Sequence, residues 1–226
     1  MNTFKTLFSI FLLLCFVGCT QDYQMHQIEG FHLVPGDEID IMMVIDNSCS
    51  MQGGPANYAS LSVAESIREL QRAKIHWDLS IISSDPTDET WYPVEQGPDS
   101  SWDLLFAMTN MQSEARSGEA GFDAALVKQD ANSSWFDSGH TLIFFISDER
   151  EQSNYSAEEF RTFWPTPLIV ASITGPATAG TAITEPANPW GCAGDAAPKY
   201  NEASDFHVDI CSEEPWSIHD FLTITN

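Results

Sequence analysis

Basic residues are scarce. Only 9 Lys and Arg stand against 33 Asp and Glu in 226 residues, a net charge of −24. Gripping a phosphate backbone takes a cluster of Lys and Arg that displaces counterions. Here Arg68, Arg72, Lys74, Arg116, Lys128, Arg150, Arg161 and Lys199 are scattered, which argues against nucleic acid and anionic headgroups as partners. Cysteine is sparse too, with 5 residues and no CxxC or Cys/His quartet, so a structural zinc site has no ligands at the right spacing. His26, His32, His76, His140, His207 and His219 show neither HExxH nor HxxxH spacing. GxSxG, P-loop and dinucleotide fingerprints are all missing. What the chain does have is 43% hydrophobic and 12% aromatic residues, too rich for a disordered acidic polymer and enough for one folded domain with a continuous core.

Residues 1–18 carry Lys5 and then an apolar run, Leu7 to Val17, long enough for the core of an export signal and too short to span a bilayer. Phe16-Val17-Gly18-Cys19 resembles the lipobox of bacterial lipoproteins, with Phe16 in place of the usual Leu. That resemblance implies lipidation of Cys19 and stable anchoring by several acyl chains. Because Gly18 is small, an ordinary secretory cleavage nearby is the alternative. Of the remaining cysteines, Cys192 and Cys211 can pair in an oxidising compartment, closing a loop of about twenty residues for roughly 3 kcal/mol. Cys49 would then stay unpaired.

Thr20 to about Gly36 is polar and aperiodic and reads as a tether, so the domain is expected over 37–226. Ile39 to Ile45 is an almost continuous apolar run, the pattern of a strand buried on both faces of a parallel sheet. Leu61, Ala64, Ile67 and Leu70 recur at helical spacing, predicting a helix ending near Lys74. Ile75 to Ser83 alternates as a strand, and a long polar stretch then runs to about Asp103. Phe122, Ala125 and Leu126 mark a helix, Thr141 to Ile146 a strand, Ser156-Ala157-Glu158-Glu159 a capping box opening a helix, and Leu168 to Ile173 a strand. Gly175 to Pro198, rich in Gly, Ala, Thr and Pro, is expected as a surface loop. The alternation predicts an α/β fold: an open, mostly parallel, doubly wound sheet with helices on both faces and a ligand site beyond the C-terminal strand ends.

At one such strand end lies Asp46-Asn47-Ser48-Cys49-Ser50-Met51, where a carboxylate and two hydroxyls converge. Such oxygen ligands suit hard divalent cations. The pattern resembles the von Willebrand factor type A (VWA) family, whose metal-ion-dependent adhesion site begins with Asp-x-Ser-x-Ser after the first strand. Phe144-Phe145-Ile146-Ser147-Asp148 puts Asp148 where that family has its distal aspartate, after the fourth strand. Ser83-Ser84-Asp85, and Ile210-Cys211-Ser212 with Trp216, look like an exported bacterial subgroup with an Asp-Asn-Ser-x-Ser-Met variant.

The resemblance implies one cation, Mg²⁺, Ca²⁺ or Mn²⁺, held by Asp46, Ser48, Ser50, Ser117 and Asp148. A partner protein would supply a carboxylate or other oxygen. Ser117 is the chosen third-loop ligand because the expected register falls on Arg116, next to it; Thr109 is the alternative. The implied setting is the bacterial cell envelope, periplasmic or surface-exposed. A metal-dependent hydrolase, or a structural envelope lipoprotein with a purely stabilising cation, are the competing readings. The first lacks a clear general base beyond Glu149. An aspartyl-nucleophile phosphatase would need a second acid where Ser48 stands.

Overall fold

The computed structural model describes residues 32–48, 51, 54–113, 120–165, 167–175, 197–210 and 223–224. Its centre is β2 (Glu38–Ile45), in which every residue after Glu38 is buried. Both edges of β2 pair in parallel, with β3 (His76–Ser83) on one side and β5 (Thr141–Ser147) on the other. The six-stranded sheet has the order β4-β3-β2-β5-β6-β7, completed by β4 (Tyr92–Val94), β6 (Leu168–Thr174) and β7 (Phe206–Asp209). All pairings are parallel except β3 with β4.

The strand pleat divides the interior into two cores. Ile39, Ile41, Met43 and Ile45 pack with residues of α1 (Gly54–Arg72) and α2 (Ser100–Ser113), a mostly aliphatic layer. Met42 and Val44 face the other way, toward residues of α3 (Gly121–Ala131), α4 (Ala157–Phe163) and α5 (Pro198–Ala203). That second layer is aromatic: Phe122 stacks on Phe160 at 4.6 Å, and Phe145 stacks on Tyr200 at 4.9 Å. The sheet with helices on both faces is the α/β architecture expected from the strand-helix alternation. Among the described residues no helix is long and apolar enough to cross a membrane.

Several local expectations need correcting. Part of the stretch expected as a tether is structured: β1 (His32–Leu33) pairs in parallel with β8 (Thr223–Ile224) and Leu33 is fully buried. The stretch expected to be polar up to Asp103 contains β4 and the start of α2. Leu61, expected on the buried stripe, is 61% exposed; Val63, Ala64, Ile67 and Leu70 form the buried face. Pro198, the expected end of a loop, occupies the first turn of α5, where its missing N–H costs nothing. The rest of that loop, 176–196, lies outside the described residues.

Two helix ends close with local hydrogen-bonded motifs. Ser156 and Glu159 form a reciprocal capping box at the start of α4. Beyond α1, Lys74 adopts φ 60°, and Ile75 N–H donates to the Leu70 carbonyl at 3.0 Å, a Schellman-type stop.

Candidate metal centre

The site is built where β2 and β5 end side by side. Ile45 is in register with Ile146, and the Asp46 N–H donates to the Ile146 carbonyl at 2.9 Å, which draws the first residue past β2 against the end of β5. Asp46 is fully buried. Its Oδ1 accepts from the Ser48 N–H at 2.8 Å, a turn-closing bond that Asp makes readily. Its Oδ2 accepts from the Ser147 hydroxyl at 2.7 Å. Asp148 is the next residue along and is 3% exposed. Two carboxylates are thus delivered to one edge by neighbouring strands, with the Ser48 backbone and the Ser147 hydroxyl fixing the orientation of the first.

Ser48 is buried beside Asp46. Ser50 and Ser117 lie outside the described residues, as do Arg116, Cys19, Cys49, Cys192 and Cys211, so neither the third-loop ligand nor the cysteine pairing is placed. Thr109 lies within α2. Asp46 could have been only a turn cap, and it does make a capping bond to Ser48. Capping alone, however, does not require a second buried acid on the adjacent strand.

Ser147 is a participant that sequence reasoning passed over, although its place before Asp148 at the end of an apolar strand was a usable signal. Glu151 is another. It is 7% exposed, and burial pushes its carboxyl above the ordinary range, opposed by hydrogen bonds from Ser153, Tyr200 and Gly121. Its Oε2 accepts from Gly121 N–H at 2.9 Å and its Oε1 from Ser153 N–H at 2.6 Å. A Cβ on Gly121 would sit 2.5 Å from the Tyr200 hydroxyl and 3.2 Å from Glu151 Oε2, so only glycine permits this approach.

The donor chemistry fits a hard divalent cation. Asp46, Asp148 and Ser48 offer carboxylate and hydroxyl oxygen, with no sulfur or imidazole among them. Each Asp46 oxygen takes one hydrogen bond and retains acceptor capacity, and among the described residues no Lys or Arg pairs with it. A buried carboxylate without a cationic partner is costly, and a cation would relieve that cost. Among the described residues no group of three or more His, Cys, Asp and Glu gathers as a metal site. The set here has two acids and depends on hydroxyls for the remainder.

In the six-stranded sheet the first strand, β2, ends just before Asp46 and the fourth strand in chain order, β5, ends just before Asp148. This is the open, mostly parallel α/β arrangement that the resemblance to the VWA family implies. Solved structures similar to it include an aerotolerance-related membrane protein from Bacteroides fragilis, at 10% identity over 83% of this chain and 92% of that one, with a TM-score of 0.45. The VWA domain of SpRpn10 is similar at 13% identity over 81% and 92%, with a TM-score of 0.44. The pilus adhesin SpaC from Lactobacillus rhamnosus GG is similar at 14% identity, with a TM-score of 0.39, over 65% of this chain and 25% of its own. No family model and no curated protein matches the sequence.

Proposed function

We propose that this protein is a lipid-anchored, extracytoplasmic binding module that holds one divalent cation at the edge bearing Asp46 and Asp148 and engages a partner protein through that cation. The observation that carries the reading is the pair of buried carboxylates just past the ends of adjacent parallel strands, the first held by Ser48 and Ser147 and paired with no Lys or Arg among the described residues. Asp46, Ser48, Ser50, Ser117 and Asp148 would hold the cation. When bound, the cation supplies an electrophilic centre for a carboxylate or other oxygen of the partner. Asp46 would contribute negative charge, and the Ser48 N–H and Ser147 hydroxyl hold that carboxylate in place. The anchor would be acylated Cys19, with Cys192 and Cys211 joined in the exported chain.

Titration calorimetry with Mg²⁺, Mn²⁺ and Ca²⁺ tests the site. One equivalent should bind, and Asp46→Ala should remove binding while circular dichroism stays native. Unchanged affinity in Asp46→Ala, or in Asp46→Asn if the alanine variant misfolds, would reject the cation reading. Labelling by palmitate that is lost in Cys19→Ala tests the anchor, and a chain exported without label would reject it.

A further inference from the structure

The loops at the C-terminal edge contact one another in a closed circuit. Ser84 N–H donates to the Ile45 carbonyl at 2.9 Å, and the Ser84 carbonyl accepts from Ala120 N–H at 3.1 Å. The next residue, Gly121, donates its N–H to Glu151 Oε2 at 2.9 Å. From Glu151 the chain leads back through Asp148 to Ser147, whose hydroxyl donates to Asp46. The step from α3 to the loop after β5 is made by the Glu151 side chain. Ser153 reinforces it: its N–H donates to Glu151 Oε1 and its hydroxyl accepts from Asp123 N–H at 3.0 Å. Lys199 Nζ, from α5, holds the same loop through the Ser153 carbonyl at 2.6 Å.

We infer that Glu151 is a positioning residue for the cation site: its carboxylate fastens the loop carrying Asp148 to the first turn of α3 and so fixes where Asp148 stands relative to Asp46. The inference rests on the cation reading above. Residues 148–156 connect β5 to α4 without helix or strand of their own, so side-chain and backbone ties decide where Asp148 lies. A carboxylate only accepts, which is what two converging N–H groups require. Glutamine has the same shape but one oxygen, so whichever way its amide turns, one of Gly121 and Ser153 meets an NH₂ group. Partners that orient metal ligands in this way typically change affinity by about 10- to 100-fold when removed.

The test uses Mn²⁺ alone, titrated into the wild-type chain, Glu151→Gln, Asp148→Asn and the double variant, with amide hydrogen exchange on the same metal-free samples. Glu151→Gln should bind Mn²⁺ about 10-fold or more weakly. In the Asp148→Asn background the same change should cost little further, because both variants disturb one ligand. Exchange should rise at Asp148–Ser153 and Gly121–Ala124 and stay unchanged in β2. A residue that merely stabilises the domain would give additive losses and a general rise in exchange. Wild-type binding with equal affinity in Glu151→Gln, or additive losses in the double variant, overturns the inference and leaves the cation reading standing. No Mn²⁺ binding by the wild type overturns both. Should Glu151→Gln not fold, Ser153→Ala removes the hydroxyl that links to Asp123 and hydrogen-bonds Glu151, and should weaken Mn²⁺ binding in the same direction; unchanged affinity there overturns the inference.

Discussion

Replacing Asp40 by Asn should stabilise the protein at neutral pH and do little at pH 4. Asp40 lies near the N-terminal end of β2, at the sheet edge opposite the candidate cation site, and is 2% exposed. Asp78 is its register partner on β3, and Asp137 lines the same cavity of roughly 210 Å³. Burial, aided by the charges of Asp78 and Asp137 and opposed by hydrogen bonds from Ser138, raises the Asp40 carboxyl from 3.8 to about 6. At about 1.4 kcal/mol per unit the shift corresponds to at most about 3 kcal/mol. Screening through the polar cavity reduces the expected effect to about 1–2 kcal/mol. The sign follows from proton linkage. The folded state holds the proton more tightly than the unfolded state, so ionised Asp40 carries its full penalty above pH 6. That penalty shrinks as pH falls through the folded pKa and is gone below the unfolded value. Asparagine is neutral throughout and can still accept the Ser138 N–H bond that Asp40 Oδ2 receives at 3.1 Å. Urea unfolding of both chains at pH 7.5, 5.5 and 4 reads the difference directly. A variant less stable than wild type at pH 7.5, or a difference that does not change with pH, would refute the reasoning.

Gly121→Ala should destabilise by about 1–3 kcal/mol in thermal unfolding, because the new methyl meets the buried Tyr200 hydroxyl. Lys74→Gly should raise stability by about 1 kcal/mol, since a side chain at φ 60° is disfavoured there, and the same melting assay checks it. Arg161→Ala should cost about 2–3 kcal/mol in urea unfolding, as its guanidinium donates to the Ala203 carbonyl, Asp205 and the Leu168 carbonyl together. Once a partner is captured, binding should vanish with chelator yet persist near 1 M salt, where the Debye length falls from about 8 Å to about 3 Å. The opposite pattern in a pulldown would assign recognition to the acidic surface.

The central strands and both candidate aspartates were legible because their signal is local. A strand buried on two faces must be apolar at nearly every position, and Ile39–Ile45 and Thr141–Ile146 are so on inspection. The missed elements lack such a signal. Strand β4 has three residues and contains Pro93, which is tolerated at a sheet edge but argues against a strand when read alone. Helix α2 has apolar residues on its exposed side, with Trp102 73% and Phe106 70% exposed, so no clean stripe appears. Leu61 misled for the same reason. Strands β1 and β8 are two residues each and exist only through a pairing across nearly the whole chain. Glu151 is an unremarked acid in a polar loop until the fold brings Gly121 and Tyr200 to it.

The central placement of β2 also determines how the domain would bear a load. A pull entering from the N-terminal side reaches the sheet at Glu38, whereas a grip on the edge bearing Asp46 acts at the other end of the same strand. The force then runs along the strand axis. Parallel ladders to β3 over Glu38–Ile45 and to β5 over Asp40–Ile45 lie in shear on both flanks, so their hydrogen bonds share the tension rather than opening one at a time. A protein held at its far edge would therefore resist extension through its central strand, with mechanical lifetime governed by the unfolding rate rather than by equilibrium stability.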